Sequence, residues 1–248
     1  MIDKLFFMHV PKVAGTSIID IVSKYYPTHN TFISPAYSFP LDYGSDRMSF
    51  YYEDINYYSY NTIRSNILNY YASNTLSFGN GLDRFFYYGH TNPILYFDIE
   101  NPEKTKDIFL FTFLRSPLER LKSEYLFFKK SIRENAVFHD IRYLKMKSEK
   151  WSFEMYALHP LNLNLQSEMM FYVPIERFNF IGLYENIDND WNDLCSTINI
   201  SQQKLPKKNV NPDKEELFIS KDLESQIRQY HWKDYCLYDR VRRQRHLA

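Results

Sequence analysis

Apolar and polar positions along this chain switch repeatedly between a period of two and a period of 3.6. Leu5-Phe6-Phe7-Met8 is a short, wholly apolar run of the kind that forms a buried strand. After it, Ile18, Ile19, Val22, Tyr25 and Tyr26 recur at helical spacing, so the change of period falls across His9–Ser17. Arg84–Gly89 reads as a second short strand, ending at His90. Asp107–Leu114 is nearly continuous apolar sequence, as expected for a central parallel strand covered on both faces. Leu118, Leu121, Tyr125 and Phe128 then supply the inward face of a helix. Ser116 stands at its N-cap, Pro117 at its first position, and Glu119 completes a Ser-x-x-Glu capping box. Phe178–Glu185 predicts a late strand, followed by a helix with Ile187, Trp191, Leu194, Cys195 and Ile198 in register. Leu223, Ile227 and Tyr230, then Asp234–Tyr238, predict the closing helices. Between Pro27 and Gly81 the pattern loosens into Tyr, Asn and Ser, with one candidate helix at Asp54–Ala72. Strands alternating with helices predict an α/β fold: one domain over 1–248, with a central, mainly parallel sheet flanked by helices.

Composition narrows the function classes. The 248 residues suffice for a full core, and Lys+Arg and Asp+Glu are both 30, a formal net charge of zero that gives no global sign of nucleic-acid binding. Aromatic residues reach 18%, with 22 Tyr and 20 Phe; core and surface filling is the favoured reading, and sequence does not separate it from sugar platforms. The two cysteines, Cys195 and Cys236, have no metal spacing and read as small buried hydrophobes in a reducing compartment. Met1–Lys4 runs straight into the first strand, and no apolar run approaches the ~18 residues of a bilayer span. The chain therefore reads as cytoplasmic.

The chemistry concentrates at three places. Lys12, Gly15, Thr16 and Ser17 lie between the first strand and its helix, where the first amides of a helix point at an anion. Gly15 is expected to let the backbone turn sharply and approach a ligand. The order of residues is not that of a Walker A loop, because Lys12 precedes the single Gly instead of following it. His90 ends the second strand, a position where open α/β sheets bind ligands, and His suits proton removal near neutral pH. Arg115 precedes the Pro117 helix and Ser123 lies within its second turn, an Arg fork and a hydroxyl that suit a terminal phosphate. Arg120 reads as a helix-surface or salt-bridge residue, Lys129–Trp151 as a solvated charged stretch, and Arg240, Arg242, Arg243 and Arg245 as a solvated basic tail.

Pro11-Lys12-Val13-Ala14-Gly15-Thr16-Ser17 resembles the 5′-phosphosulfate loop of sulfotransferases that use 3′-phosphoadenosine 5′-phosphosulfate (PAPS). Arg115, Pro117, Arg120, Ser123 and Tyr125 match the same family's 3′-phosphate motif, with Ser116 where members usually carry Asp. The resemblance is closest to the carbohydrate-type family that includes the heparan and uronyl 2-O-sulfotransferases. It implies a P-loop-like three-layer fold that binds PAPS and releases 3′,5′-ADP without a metal. It further implies a hydroxyl-bearing acceptor, a glycan by the family's habit, with His90 and Lys12 as catalytic groups. In the uronyl enzymes a second His stands two residues before this one, where the present chain has Tyr88. Asn162–Glu168 is similar to the family's helix start near the acceptor cleft. Phe178–Asp188 matches its late strand, where Glu185 and Asp188 read as helix caps. Leu205–Asn211 resembles a segment that folds over the nucleotide and adds Lys208 and Asn209. An ATP-dependent phosphotransferase and a non-catalytic glycan-binding relative are the alternatives, distinguished by magnesium dependence and by failure to bind nucleotide.

Overall fold

The computed structural model of this chain describes residues 1–26, 31–33, 85–90, 106–138, 140–170, 173–206 and 217–247. Five strands form one sheet: β1 (Lys4–Met8), β2 (Thr31–Ile33), β3 (Phe85–Gly89), β4 (Phe109–Leu114) and β5 (Phe180–Leu183). Their order is β2-β3-β1-β4-β5, and every pairing is parallel. Helices lie on both sides of the sheet, giving the α/β architecture that the alternating periods predict. The candidate helix at Asp54–Ala72 lies outside the described residues.

The first layer of helices follows directly from local sequence. After β1 comes α1 (Gly15–Val22), and after β4 comes α2 (Pro117–Arg133), opened by its proline. Next are α3 (Ile141–Glu149) and α4 (Phe153–Ala157), whose caps Asp140 and Ser152 accept hydrogen bonds from the amides of Arg142 and Met155. They are followed by the short α5 (Leu165–Met169), α6 (Ile187–Ile198), α7 (Lys221–Tyr230) and α8 (Trp232–Leu247). All six residues of β4 are buried, as a central strand requires. Where β4 pairs with β5, Phe113 lies opposite Gly182. A Cβ on Gly182 would meet the Phe113 ring at 2.2 Å, so only glycine fits beneath that ring.

Two apolar clusters result. One lies along the sheet, from Leu5–Met8 through Phe111 and Phe113 to Trp191 and Leu194. The other gathers Leu121, Tyr125, Phe128, Tyr143, Trp151 and Tyr156 among α2, α3 and α4, with Ile227 of α7. The Lys129–Trp151 stretch is therefore not simply solvated. Tyr143 and Met146 pack in this second cluster, and Arg142 is buried beside them, because α3 turns one face onto α2.

Three further expectations are corrected. Cys195 is buried and burial pushes its thiol up to about 11, but Cys236 is exposed on α8. The Ser116–Glu119 capping box does not form: Glu119 pairs with Lys122, and Glu185 accepts the Ser116 amide at 2.8 Å instead. The basic tail is only partly solvated, since Arg245 binds Asp190 at 2.7 Å and the Ile181 carbonyl at 2.8 Å. Asp190 also accepts the Leu183 amide, so two side chains cover polar groups of β5, an edge strand among those described. Among the described residues no helix is long and apolar enough to cross a membrane.

Candidate active site

Parallel pairing places the C-terminal ends of β3, β1 and β4 side by side, with Met8 opposite both Gly89 and Thr112. His90, the His9–Ser17 loop and Arg115 follow these three ends. The sheet therefore brings together three features separated by about a hundred residues of sequence. Two hydrogen bonds join them: Arg115 Nη1 donates to the Lys12 carbonyl at 3.2 Å, and His90 Nδ1 lies 2.5 Å from the His9 carbonyl.

The loop is an amide cradle, but not for the reason its glycine suggests. The left-handed residues are Lys12 (φ 70°) and Ala14 (φ 65°), neither of them glycine. Alternation of left-handed with ordinary residues turns successive N–H groups toward one point, an anion-binding nest. Among the described residues no hydrogen bond uses the amides of residues 12–16, so these donors face the cradle. Gly15 is the first residue of α1, and its φ is not left-handed. A Cβ there would fall 1.8 Å from His9 Nε2, so the missing side chain admits the His9 imidazole.

Ser17 departs from its expected role. Its amide bonds Ala14 O at 3.0 Å and its hydroxyl donates to Pro206 O at 2.6 Å. It thereby ties the loop to the segment that leads into Lys208 and Asn209, which lie outside the described residues. Thr16 is exposed, and Pro11 and Val13 are buried beneath the loop.

Lys12 is half-buried, with Nζ 4.0 Å from the centre of the Phe127 ring. Burial pushes its ammonium down to about 8, the buried Glu124 carboxylate opposes that, and Arg115 adds to it. Arg115 lies over the Tyr184 ring at 4.1 Å, and Gln166 accepts its amide and donates to its carbonyl, both at 2.9 Å. Its Nε is buried with no partner among the described residues, one donor left over in a site already short of acceptors. Ser123 is half-buried on α2, and its hydroxyl makes no hydrogen bond among the described residues. The amide cradle and the orphaned Arg115 donor together fit an anionic ligand.

Arg120 is the clearest surprise. It is fully buried, pairing with Glu124 at 2.8 Å, while its Nε and Nη2 find no partner among the described residues. Glu124 also receives Arg142 at 3.2 Å and the Tyr156 hydroxyl at 2.8 Å, and Arg142 forks onto Asp140. Burial alone would raise the Glu124 carboxyl, but the two guanidiniums and the Tyr156 O–H bring it down to about 2.

His90 is held by a group that only accepts. A carbonyl carries no proton, so Nδ1 must donate to His9 O, which places the lone pair on Nε2. Burial lowers the His90 imidazole below its ordinary range, and it stays neutral near pH 7. The neutral imidazole stands beside the loop.

A family model described as the Sulfotransferase family matches residues 2–244. The chain belongs to the sulfotransferase family. It is an enzyme of that family, built to move a sulfuryl group. Among solved structures it resembles a sulfotransferase from Alicyclobacillus acidocaldarius, with a TM-score of 0.42 and 16% identity, over 92% of this chain and 91% of that one. No curated protein matches. Within this sulfotransferase, sequence reasoning overlooked His9 and the Glu124 network, and it read Gln166 only as part of the Asn162–Glu168 segment. His9 was accessible, since it lies two residues beyond Phe7 and continues the same face of β1. Gln166 carries no comparable signal, because its partner lies 51 residues away.

Proposed function

We propose that this enzyme transfers the sulfuryl group of PAPS to a hydroxyl of an acceptor, a saccharide by the resemblance of its motifs, with His90 as the base. The observation that carries the reading is the junction of loop, arginine and histidine at three adjacent strand ends through the Arg115–Lys12 and His90–His9 hydrogen bonds. When bound, PAPS supplies an activated sulfuryl group, whose bond to the 5′-phosphate oxygen breaks as the acceptor oxygen bonds to sulfur. The residues 12–16 amides hold the 5′ anion and bear the negative charge that grows there. Lys12 adds a cation whose acidity, near 8, also lets it share a proton with that oxygen. Arg115 and Ser123 hold the 3′-phosphate, and His90 Nε2 takes the acceptor proton.

Calorimetric titration with 3′,5′-ADP, ATP and 5′-AMP in the absence of magnesium tests the donor assignment. Preference for 3′,5′-ADP supports it, while binding of ATP alone reverses it in favour of phosphoryl transfer. His90→Ala is expected to bind 3′,5′-ADP normally and to lose about 100-fold or more in transfer, the scale of a general base. Full turnover in that variant removes the base role.

A further inference from the structure

His9 was not expected to take part, yet it touches both the loop and His90. Four rings lie in series across the sheet. Phe111 of β4 stacks on Phe7 of β1 at 4.8 Å, Phe7 on His9 at 5.4 Å, and His9 on His90 at 4.2 Å, with interplanar angles of 9°, 19° and 29°. The His9 ring edge rests on the glycine that opens α1, close enough that no other residue type fits there. Its carbonyl is the acceptor for His90 Nδ1, and its own amide donates to Gly89 O at 2.8 Å. The imidazole thus fills a slot between the phosphosulfate loop on one side and the base on the other. An ordinary packing residue would explain the stack, but not a glycine reserved at the mouth of the loop.

We propose that His9 is a positioning residue: it seats the His90 ring against the loop and holds it in the Nδ1–H tautomer, leaving Nε2 to receive the acceptor's proton. This rests on the reading of His90 as the base. Two contacts make the arrangement directional. The carbonyl fixes which nitrogen carries the proton, and the stacked ring fixes the plane in which the lone pair points. Stacking also serves the imidazolium formed during transfer, because a neutral aromatic face at this distance stabilises a cation. His9 itself stays neutral, since burial, His90 and Lys12 all oppose its protonation. The pair therefore carries at most one positive charge, on His90.

The first measurement is nitrogen-15 NMR of the imidazole groups in the unliganded protein. It reads the tautomer of His90 without any turnover. The wild type is expected to show Nδ1–H on His90; His9→Ala keeps the carbonyl at position 9 but loses the stack that holds the His90 ring against it, so a mixture of the two tautomers is expected. A wild-type Nε2–H tautomer, or an unchanged tautomer in His9→Ala, overturns the proposal. His9→Asn, a smaller planar replacement, carries the same measurement if His9→Ala does not fold. The second measurement is a double-mutant cycle on kcat with PAPS. His9→Ala is expected to lose about tenfold in the wild-type background and less than about twofold beside His90→Ala, since the first residue acts through the second. Equal losses in both backgrounds also overturn it. Full activity of His90→Ala would end the base reading instead, while the NMR result still decides whether His9 orients His90.

Discussion

Lys12 sits where burial and charge oppose each other. Burial disfavours its ammonium, Glu124 favours it and Arg115 disfavours it, with an outcome near 8 in place of the ordinary 10.5. The charge is therefore complete below about pH 8 and is lost above it, and an anionic ligand must restore it by proton uptake. For the wild type, the affinity for 3′,5′-ADP should hold up to about pH 8 and then fall by as much as about tenfold per pH unit. Lys12→Met should bind more weakly throughout and show no such break. A wild-type affinity flat to about pH 9.5 would place the Lys12 charge outside the ligand's reach. Gly15 makes a second argument at this scale. Because its α-hydrogen faces the His9 ring, Gly15→Ala is expected to cost transfer even though alanine suits a helix well. A Gly15→Ala enzyme with normal kcat would show that the ring moves without consequence.

The element that decides how the site is held is α2. Its N-terminal residues present Arg115 and its next turns carry Arg120, Ser123 and Glu124, so one helix connects the ligand side with a buried ion network. A buried carboxylate with two guanidiniums is stable only while all partners remain. Glu124→Gln removes the anion and leaves Arg120 and Arg142 uncompensated, an expected loss of about 3–5 kcal/mol in denaturant unfolding. The pH dependence has a definite sign. The Glu124 pKa falls from 4.5 to about 2 on folding, so its contribution is present above 4.5 and drains away as the pH falls toward 2. Glu124→Gln should lack that part of the acid loss, and an unchanged acid profile would shift it to other carboxylates.

Elements of this kind were legible where the signal is local. The apolar runs gave β1, β3, β4 and β5 to within two residues, and Pro117 opened α2 where expected. The partners that secure those elements were not legible, because each comes from far along the chain. Glu185 reaches the Ser116 amide across 69 residues and displaces the local capping box. Asn164 accepts the amides opening α8 while Asp234 of α8 accepts those opening α5, a mutual cap across about seventy residues. Arg120 forms the salt bridge that was one of its two expected roles, but its burial was not legible, because helix periodicity records apolar faces and has no term for a charge buried with its counter-ion. The candidate site followed the same division. The loop, His90 and Arg115 were readable as motifs, whereas His9 and Gln166 owe their places to contacts between strand ends.

At the scale of the molecule, the site lies at the junction of the two apolar clusters. The loop belongs to β1 and α1 in the sheet cluster, while Leu121, Tyr125 and Phe128 anchor α2 in the helical one. Among the described residues, ties across the junction include Arg115 to the Lys12 carbonyl, Lys12 over Phe127, Glu185 to the Ser116 amide, and the Gln166 clasp on the Arg115 peptide. A nucleotide that places one phosphate on the loop and the other on Arg115 and Ser123 would bridge both clusters at once. Binding adds stability to whatever opens when the ligand leaves, so hydrogen exchange locates the bridge. With 3′,5′-ADP, amides of residues 12–18 and 115–124 should slow together, and those of α6, beside the far strand β5, should not. With 5′-AMP, which lacks the 3′-phosphate, only the loop should slow. Protection of the loop alone with both nucleotides would mean that Arg115 serves the fold and not the donor, and the 3′-phosphate would have to be held elsewhere. Protection of both segments by 3′,5′-ADP alone would instead make this junction the hinge on which donor selection turns, since only a ligand with both phosphates could close it.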